Sequence, residues 1–176
     1  MDINHDTKKL FMYAILCLSL AVGLSSGVFS NYFKEVFAVD SVQRGLLEIP
    51  RETPGILCVV ILTALSGLGN LSLMVMAYGF CTLGLAVLGL LSPSYFIMQI
   101  FLFSFSLGEH MMMPLRDSIA MDLSGEGKTG TFLGQLKGRM TLSSMAASAA
   151  VFIGYRTGIF WFGNGVIPSF VAGLLF

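Results

Sequence analysis

Residues 53–108 read TPGILCVVILTALSGLGNLSLMVMAYGFCTLGLAVLGLLSPSYFIMQIFLFSFSLG, and this stretch contains no Asp, Glu, Lys or Arg. A transmembrane helix needs about 20 mostly apolar residues to cross roughly 30 Å of hydrocarbon. The uncharged stretch is therefore long enough for the rest of one span, a whole second span and most of a third. It favours an integral membrane protein over a soluble domain.

The composition of the whole chain indicates the same class. Charged residues make up 11% of the 176 positions and hydrophobic residues 55%, against about 25% and 45–50% in ordinary soluble domains. The formal net charge is zero, so no basic surface favours nucleic-acid binding. We expect an all-α, polytopic protein whose main partner is the lipid bilayer.

Turn residues and polar segments divide the chain into six predicted transmembrane helices. They are Leu10–Ser30, Gly45–Leu65, Leu71–Leu91, Tyr95–Leu115, Phe132–Tyr155 and Thr157–Phe176. Residues 1–9 form an N-terminal segment, residues 10–176 form the transmembrane domain, and residues 116–131 form the longest predicted loop.

The distribution of Lys and Arg predicts the orientation of these helices, because basic residues are retained on the cytoplasmic side. One side would hold Lys8, Lys9, Arg116, Lys128, Lys137 and Arg139, and the other would hold Lys34, Arg44 and Arg156. We therefore expect residues 1–9 and 116–131, and both ends of the chain, to be cytoplasmic. The membrane would be the plasma (inner) membrane.

The passage from the fourth helix to the fifth reads GEHMMMPLRDSIAMDLSGEGKTGTFLGQLKGR, residues 108–139. In order and rough spacing, Gly108, Pro114, Asp122 and Gly134 resemble the pattern of the major facilitator superfamily. The passage NYFKEVFAVDSVQRGLLEIPRETPG, residues 31–55, is similar to that family's connection between helices one and two.

This resemblance implies the N-terminal six-helix half of a secondary transporter that moves a small molecule or ion by alternating access. The substrate site would lie near the midplane, between two halves. The partner would be a C-terminal six-helix half or a second copy. Because the sequence stops inside the apolar run FVAGLLF, we expect it to be a piece of a longer chain.

Glu48, Arg51 and Glu52 form the most informative group of charges, since their spacing places all three on one helical face. Counted from Leu65, they would lie about 20–25 Å from the inner boundary of the membrane. Charges at that depth should pair and face the interior of the bundle. The group is a structural ion pair, a gate at the outer entrance, or a feature of the outer loop.

Pro50 and Pro54 fall among these charges, and each removes one backbone hydrogen-bond donor from the second helix. A kink is therefore expected there. Neighbouring helices or water would have to satisfy the freed carbonyl groups.

Glu109 and His110 form a second candidate pair in the fourth helix. If that helix ends near Leu115, they lie about 6–9 Å above the inner boundary. A carboxyl and an imidazole in such a place can exchange protons or bind a substrate. The alternatives are hydrogen bonds between helices or a position at the membrane surface.

The resemblance also implies that helices one and four line the substrate site. Polar candidates there, in addition to Glu109 and His110, are Ser26, Ser30, Asn31, Gln99 and Ser106. The chain contains no HExxH, and its GxSxG pattern at residues 23–27 lies inside the first predicted helix, without the strand-to-helix turn that the motif needs. We therefore expect no enzyme activity, no metal and no cofactor. The alternative functions are a non-catalytic membrane scaffold or subunit and, less favoured, an intramembrane enzyme.

The fifth helix carries Ala146, Ala150 and Gly154 at four-residue spacing. Rows of small residues let two helix backbones approach closely in membranes. The row is expected to contact either the other half of the transporter or a helix of the same half.

Overall fold

The structure, a computed structural model, describes residues 5–91 and 94–160, apart from the side chains of His5, Ser30 and Leu90. The described part is helical and contains no strand. Its elements are α1 (His5–Phe37), α2 (Ser41–Ala64), a short 3₁₀ helix (Ser66–Leu68), α3 (Asn70–Leu90), α4 (Tyr95–Ser124) and α5 (Thr129–Arg156). The predicted all-α class is confirmed, and most of the predicted sixth helix lies outside the described residues.

Within the described residues, three helices are long and apolar enough to cross a membrane. The segments are Asp6–Phe29 of α1, Asn70–Gly89 of α3 and Tyr95–Ser124 of α4. By contrast, α2 carries four charged residues in its first half, and α5 carries Lys137, Arg139 and Arg156.

Helix α4 is longer than predicted, because residues 116–124 continue the helix instead of forming a loop. No glycine or proline interrupts the chain between Pro114 and Gly125, so nothing there stops the helix. Gly125 ends it with a φ of 80°, a conformation that glycine adopts without steric cost. The connection to α5 is therefore only residues 125–128.

Helices α1, α3 and α5 run in one direction, and α2 and α4 run in the other. At one end of the bundle, here called the Phe37 end, the Tyr32 hydroxyl donates to the Leu88 carbonyl at 3.1 Å. At the opposite end, the Gly125 end, the Asn70 amide donates to the Ser118 hydroxyl at 2.9 Å. These bonds tie α1 to α3 and α3 to α4.

Glycines bring α3 and α4 into close backbone contact. A Cβ added at Gly108 would lie 2.7 Å from Cys81 Sγ, and one added at Gly84 would lie 2.7 Å from the backbone nitrogen of Phe105. Only a residue without a side chain fits at either position. This contact forms much of the apolar core, together with the buried Ala77.

Helices α1 and α5 pack in a similar way through Gly23. A Cβ there would lie 2.8 Å from the Ser144 backbone, and the Ser148 hydroxyl donates to the Gly23 carbonyl at 3.3 Å. Ala146 and Ala150, members of the predicted small-residue row, are instead exposed in the described structure. The face of α5 that contacts α1 is therefore a neighbouring one.

Candidate functional site

A cavity of about 470 Å³ lies between α1, α2 and α4. Its wall combines ionisable side chains with aromatic and apolar ones. The lining residues are Ser26, Phe29, Phe33, Arg44, Leu47, Glu48, Arg51, Glu52, Leu102, Phe105, Ser106, Glu109, His110 and Met113. We call it the charged cavity.

The predicted charge group of α2 is assembled in this cavity. Arg51 Nη2 lies 2.7 Å from Glu48 Oε2, and Arg51 Nε lies 3.3 Å from Glu52 Oε1. The side chains are 50%, 47% and 60% exposed for Arg51, Glu48 and Glu52. One guanidinium thus contacts two carboxylates on the open side of the cavity, so these three side chains together keep a formal charge of −1.

His110 faces this group from α4, with its Nε2 atom 3.8 Å from Glu52 Oε2. That distance is too long for a hydrogen bond. In the described part of the chain, the buried Nε2 atom has no hydrogen-bond partner. The ring fits against α2 because residue 55 is glycine, where a Cβ would lie only 3.2 Å from Nε2.

The sequence placed Glu52 and His110 at different depths in the predicted membrane. The contact between these two side chains shows that they lie at the same level of the bundle, so this expectation was wrong. Since α4 ends at Ser124, His110 lies 14 residues, or about 21 Å, from the Gly125 end. Glu52 lies 12 residues, or about 18 Å, from the end of α2 at Ala64. The error came from ending the fourth helix at Leu115.

Glu109, on α4, differs from the carboxylates of α2 in its ion pairing and in bordering a second cavity. Among the described residues, no cation lies within the 4.0 Å of an ion pair from its carboxylate. It also borders a second cavity of about 310 Å³. That cavity is lined by Leu18, Ser19, Val22, Glu109, Met112, Met113, Arg116, Met140, Thr141, Ser144 and Met145.

Ser106 joins α4 to the backbone of α2, because its buried hydroxyl donates to the Arg51 carbonyl. Helix α2 continues through both Pro50 and Pro54. The Arg51 carbonyl lies next to the Pro50 carbonyl, which Pro54 leaves without a helical donor. A hydroxyl from a neighbouring helix thus supplies hydrogen bonding at the level of the prolines.

The remaining predicted candidates are dispersed. Ser26 is exposed and lines the charged cavity, whereas Asn31 lines a third cavity of about 330 Å³ beside α5. Gln99 is half-buried and lines none of these three cavities. The side chain of Ser30 lies outside the described part of the structure.

Sequence reasoning missed the aromatic wall of the charged cavity. The ring centroids of Phe29 and Phe33 lie 5.7 Å apart, and those of Phe29 and Phe105 lie 5.4 Å apart. It also missed Arg44 as a lining residue. The spacing of Arg44, Glu48 and Arg51 along one helical face was the signal that identifies it.

A separate ion pair joins α4 and α5 near the Gly125 end. Asp117 Oδ1 lies 2.9 Å from Arg116 Nε, and Asp117 Oδ2 lies 3.1 Å from Lys137 Nζ. The Lys137 side chain is 57% exposed. Lys137, which the distribution of basic residues places on the predicted cytoplasmic side, therefore contacts the preceding helix.

The charged cavity is large enough to hold a small polar or charged solute, and its wall offers carboxylate, guanidinium and imidazole groups to it. In residues 5–91 and 94–160, no group of three or more His, Cys, Asp or Glu residues is placed to hold a metal ion. Comparisons with protein-family models, curated proteins and solved structures find no match.

Proposed function

We propose that this chain is one half of a secondary transporter that moves a small solute by alternating access. The observation that carries the proposal is the charged cavity, where Glu52 and His110 from two helices meet beside Glu109. Ionisable groups between apolar helices are costly and usually mark a substrate or ion pathway. The resemblance of residues 108–139 to the major facilitator superfamily supports the same function.

The proposed topology has six spans with both ends on the cytoplasmic side of the plasma membrane. In this topology α2, α5 and the predicted helix Thr157–Phe176 join the three apolar helices as spans. The charges of α2 support this assignment, because they turn toward a cavity shared with α1 and α4. A helix whose charges face a cavity can cross a membrane although its mean hydropathy is low.

The proposed partner is a second six-helix unit, either a C-terminal half or another copy of the chain. Glu48, Arg51 and Glu52 are about half-exposed in the described structure. In a bilayer these charges would meet lipid unless another protein surface or water covered them. A second unit placed over α2 and the open side of the cavity would cover them.

The transport proposal is tested by uptake of a panel of small solutes into proteoliposomes. We expect saturable uptake of at least one solute and its loss in Glu109→Gln. The matched control is Glu126→Gln, since Glu126 is exposed in the connection between α4 and α5. Folded protein that takes up no solute, with and without a partner half, would overturn the proposal.

The topology is tested by single cysteines at opposite ends of the bundle. Ser41 and Glu126 are both exposed, and the three native cysteines, Cys17, Cys58 and Cys81, are replaced by alanine. An impermeant maleimide should label position 41 from outside the cell and position 126 only after the membrane is opened. Labelling of both positions in intact cells would exclude the proposed arrangement.

A further inference from the structure

We propose that the charged cavity binds an organic cation, with the ammonium group at Glu109 and the apolar body against the rings of Phe29, Phe33 and Phe105. This inference rests on the proposed transport function and names the chemical class of the solute.

The pairing of charges around the cavity favours a cationic ligand. Arg51 already contacts Glu48 and Glu52, and Arg116 contacts Asp117. Arg44 also has an interaction partner. In the described structure, Glu109 is the lining carboxylate with no cation within ion-pair distance. A ligand cation would supply the missing charge, whereas a ligand anion at Arg51 would have to displace Glu48 or Glu52.

The aromatic wall provides a second, independent reason. Phe29 lies within contact of both Phe33 and Phe105, and all three rings line the same cavity as Glu109. The faces of aromatic rings attract cations, and the attraction is stronger in sites removed from water. The rings also suit the apolar part of an amine.

The size and position of the cavity fit a small amine. Its volume of about 470 Å³ lies within the range of ordinary ligand pockets, which is about 300–1,000 Å³. Glu109 and Met113 border both this cavity and the smaller one beside Arg116. A ligand at Glu109 therefore occupies the point where the two cavities meet, as a solute in transit would.

The first experiment measures equilibrium binding of radiolabelled benzyltrimethylammonium to the full chain in lipid nanodiscs. Unlabelled phenylacetate, an anion, and 2-phenylethanol, a neutral compound, serve as competitors. We expect saturable binding that neither competitor displaces at tenfold excess over the probe. Displacement by phenylacetate, or the absence of saturable binding, would overturn the inference. This comparison uses the wild-type protein and does not depend on any variant folding.

The second experiment compares Glu109→Gln with Glu126→Gln in the same assay. Glu109→Gln removes the negative charge that faces the ammonium group and should weaken binding at least about tenfold. Glu126→Gln, the exposed control, should bind the probe as the wild type does. Glu109→Asp keeps the charge and should bind more tightly than Glu109→Gln. Equal binding by all three variants would overturn the assignment of the ammonium to Glu109.

Uptake of the same probe separates this inference from the transport proposal. Binding without uptake, both with and without a partner half, would contradict transport and leave the cation site intact. Uptake of an anion without any binding of the probe would support transport and overturn the cation site.

Discussion

Helix α4 has two faces that contrast sharply. Toward α3 it presents Gly108, which packs against Ala77 and Cys81. Toward α2 it presents Ser106 and His110, which reach the backbone and charges of that helix. Neighbouring residues of one helix thus serve a closely packed contact on one side and an open, charged cavity on the other.

The contact of α4 with α3 stabilises the helix bundle, whereas the contact of α4 with α2 borders the charged cavity. At the α3 contact the backbones approach so closely that an added side chain has no room. At the α2 contact the helices enclose a cavity of about 470 Å³. We therefore expect substitutions at the first contact to reduce folding, and substitutions at the second to change function more than folding.

The largest effect is expected from Gly108→Leu. Its Cβ alone would lie 2.8 Å from the Cys81 backbone nitrogen, so α3 and α4 must separate. Overpacking of a close contact costs about 1–3 kcal/mol or more. We expect little monodisperse protein in size-exclusion chromatography of a fluorescent fusion.

The matched control for that change is Gly134→Leu in α5, where an added Cβ meets nothing within 4 Å. It should give the wild-type yield. Equal yields of Gly108→Leu and Gly134→Leu would show that the α3 contact can rearrange, and the contrast between the two faces of α4 would fail.

The second effect is expected from Arg51→Ala, which removes the only guanidinium that contacts both Glu48 and Glu52 in the described structure. Two like charges are then left side by side. We expect lower yield and lower uptake than for Lys34→Ala, whose lysine is exposed at the end of α1. Equal yield and uptake for both variants, measured by fusion fluorescence and proteoliposome assay, would place Arg51 in bulk solvent.

A smaller effect, confined to function, is expected from Gly55→Ala. The new Cβ would lie 3.2 Å from His110 Nε2, so the ring must shift by a few tenths of an ångström. Alanine also improves helix propensity by about 1 kcal/mol over glycine. We expect unchanged or higher thermal stability together with reduced uptake.

The control for this change is Gly45→Ala in the same helix, where a Cβ meets nothing within 4 Å. It should be as stable as Gly55→Ala and should keep wild-type uptake. Identical uptake by the two variants would mean that the position of His110 relative to α2 does not matter for transport.

The sequence predicted the all-α class, the apolar helices α1, α3 and α4 and the charged face of α2, because these follow from local spacing and from the absence of charge over residues 53–108. It misplaced Glu109 and His110, although the lack of a helix breaker between Pro114 and Gly125 was visible. The proximity of α2 to α4 depends on contacts between distant residues. No local pattern reveals that Gly55 makes room for the ring of His110.

The smallest effect is expected at the ion pair between Asp117 and Lys137, which lies outside both faces compared above. The lysine is 57% and the aspartate 31% exposed, so water and salt screen the attraction. Lys137→Met should lower the apparent Tm in detergent by about 2 °C or less, and the difference should shrink in 1 M salt. Arg116 still contacts Asp117 in that variant, so the carboxylate is not left alone. Lys128→Met, at an exposed position in the connection to α5, is the control and should not change the Tm. A larger, salt-independent loss for Lys137→Met would show that this pair, and not only the α3 contact, holds α4 in place.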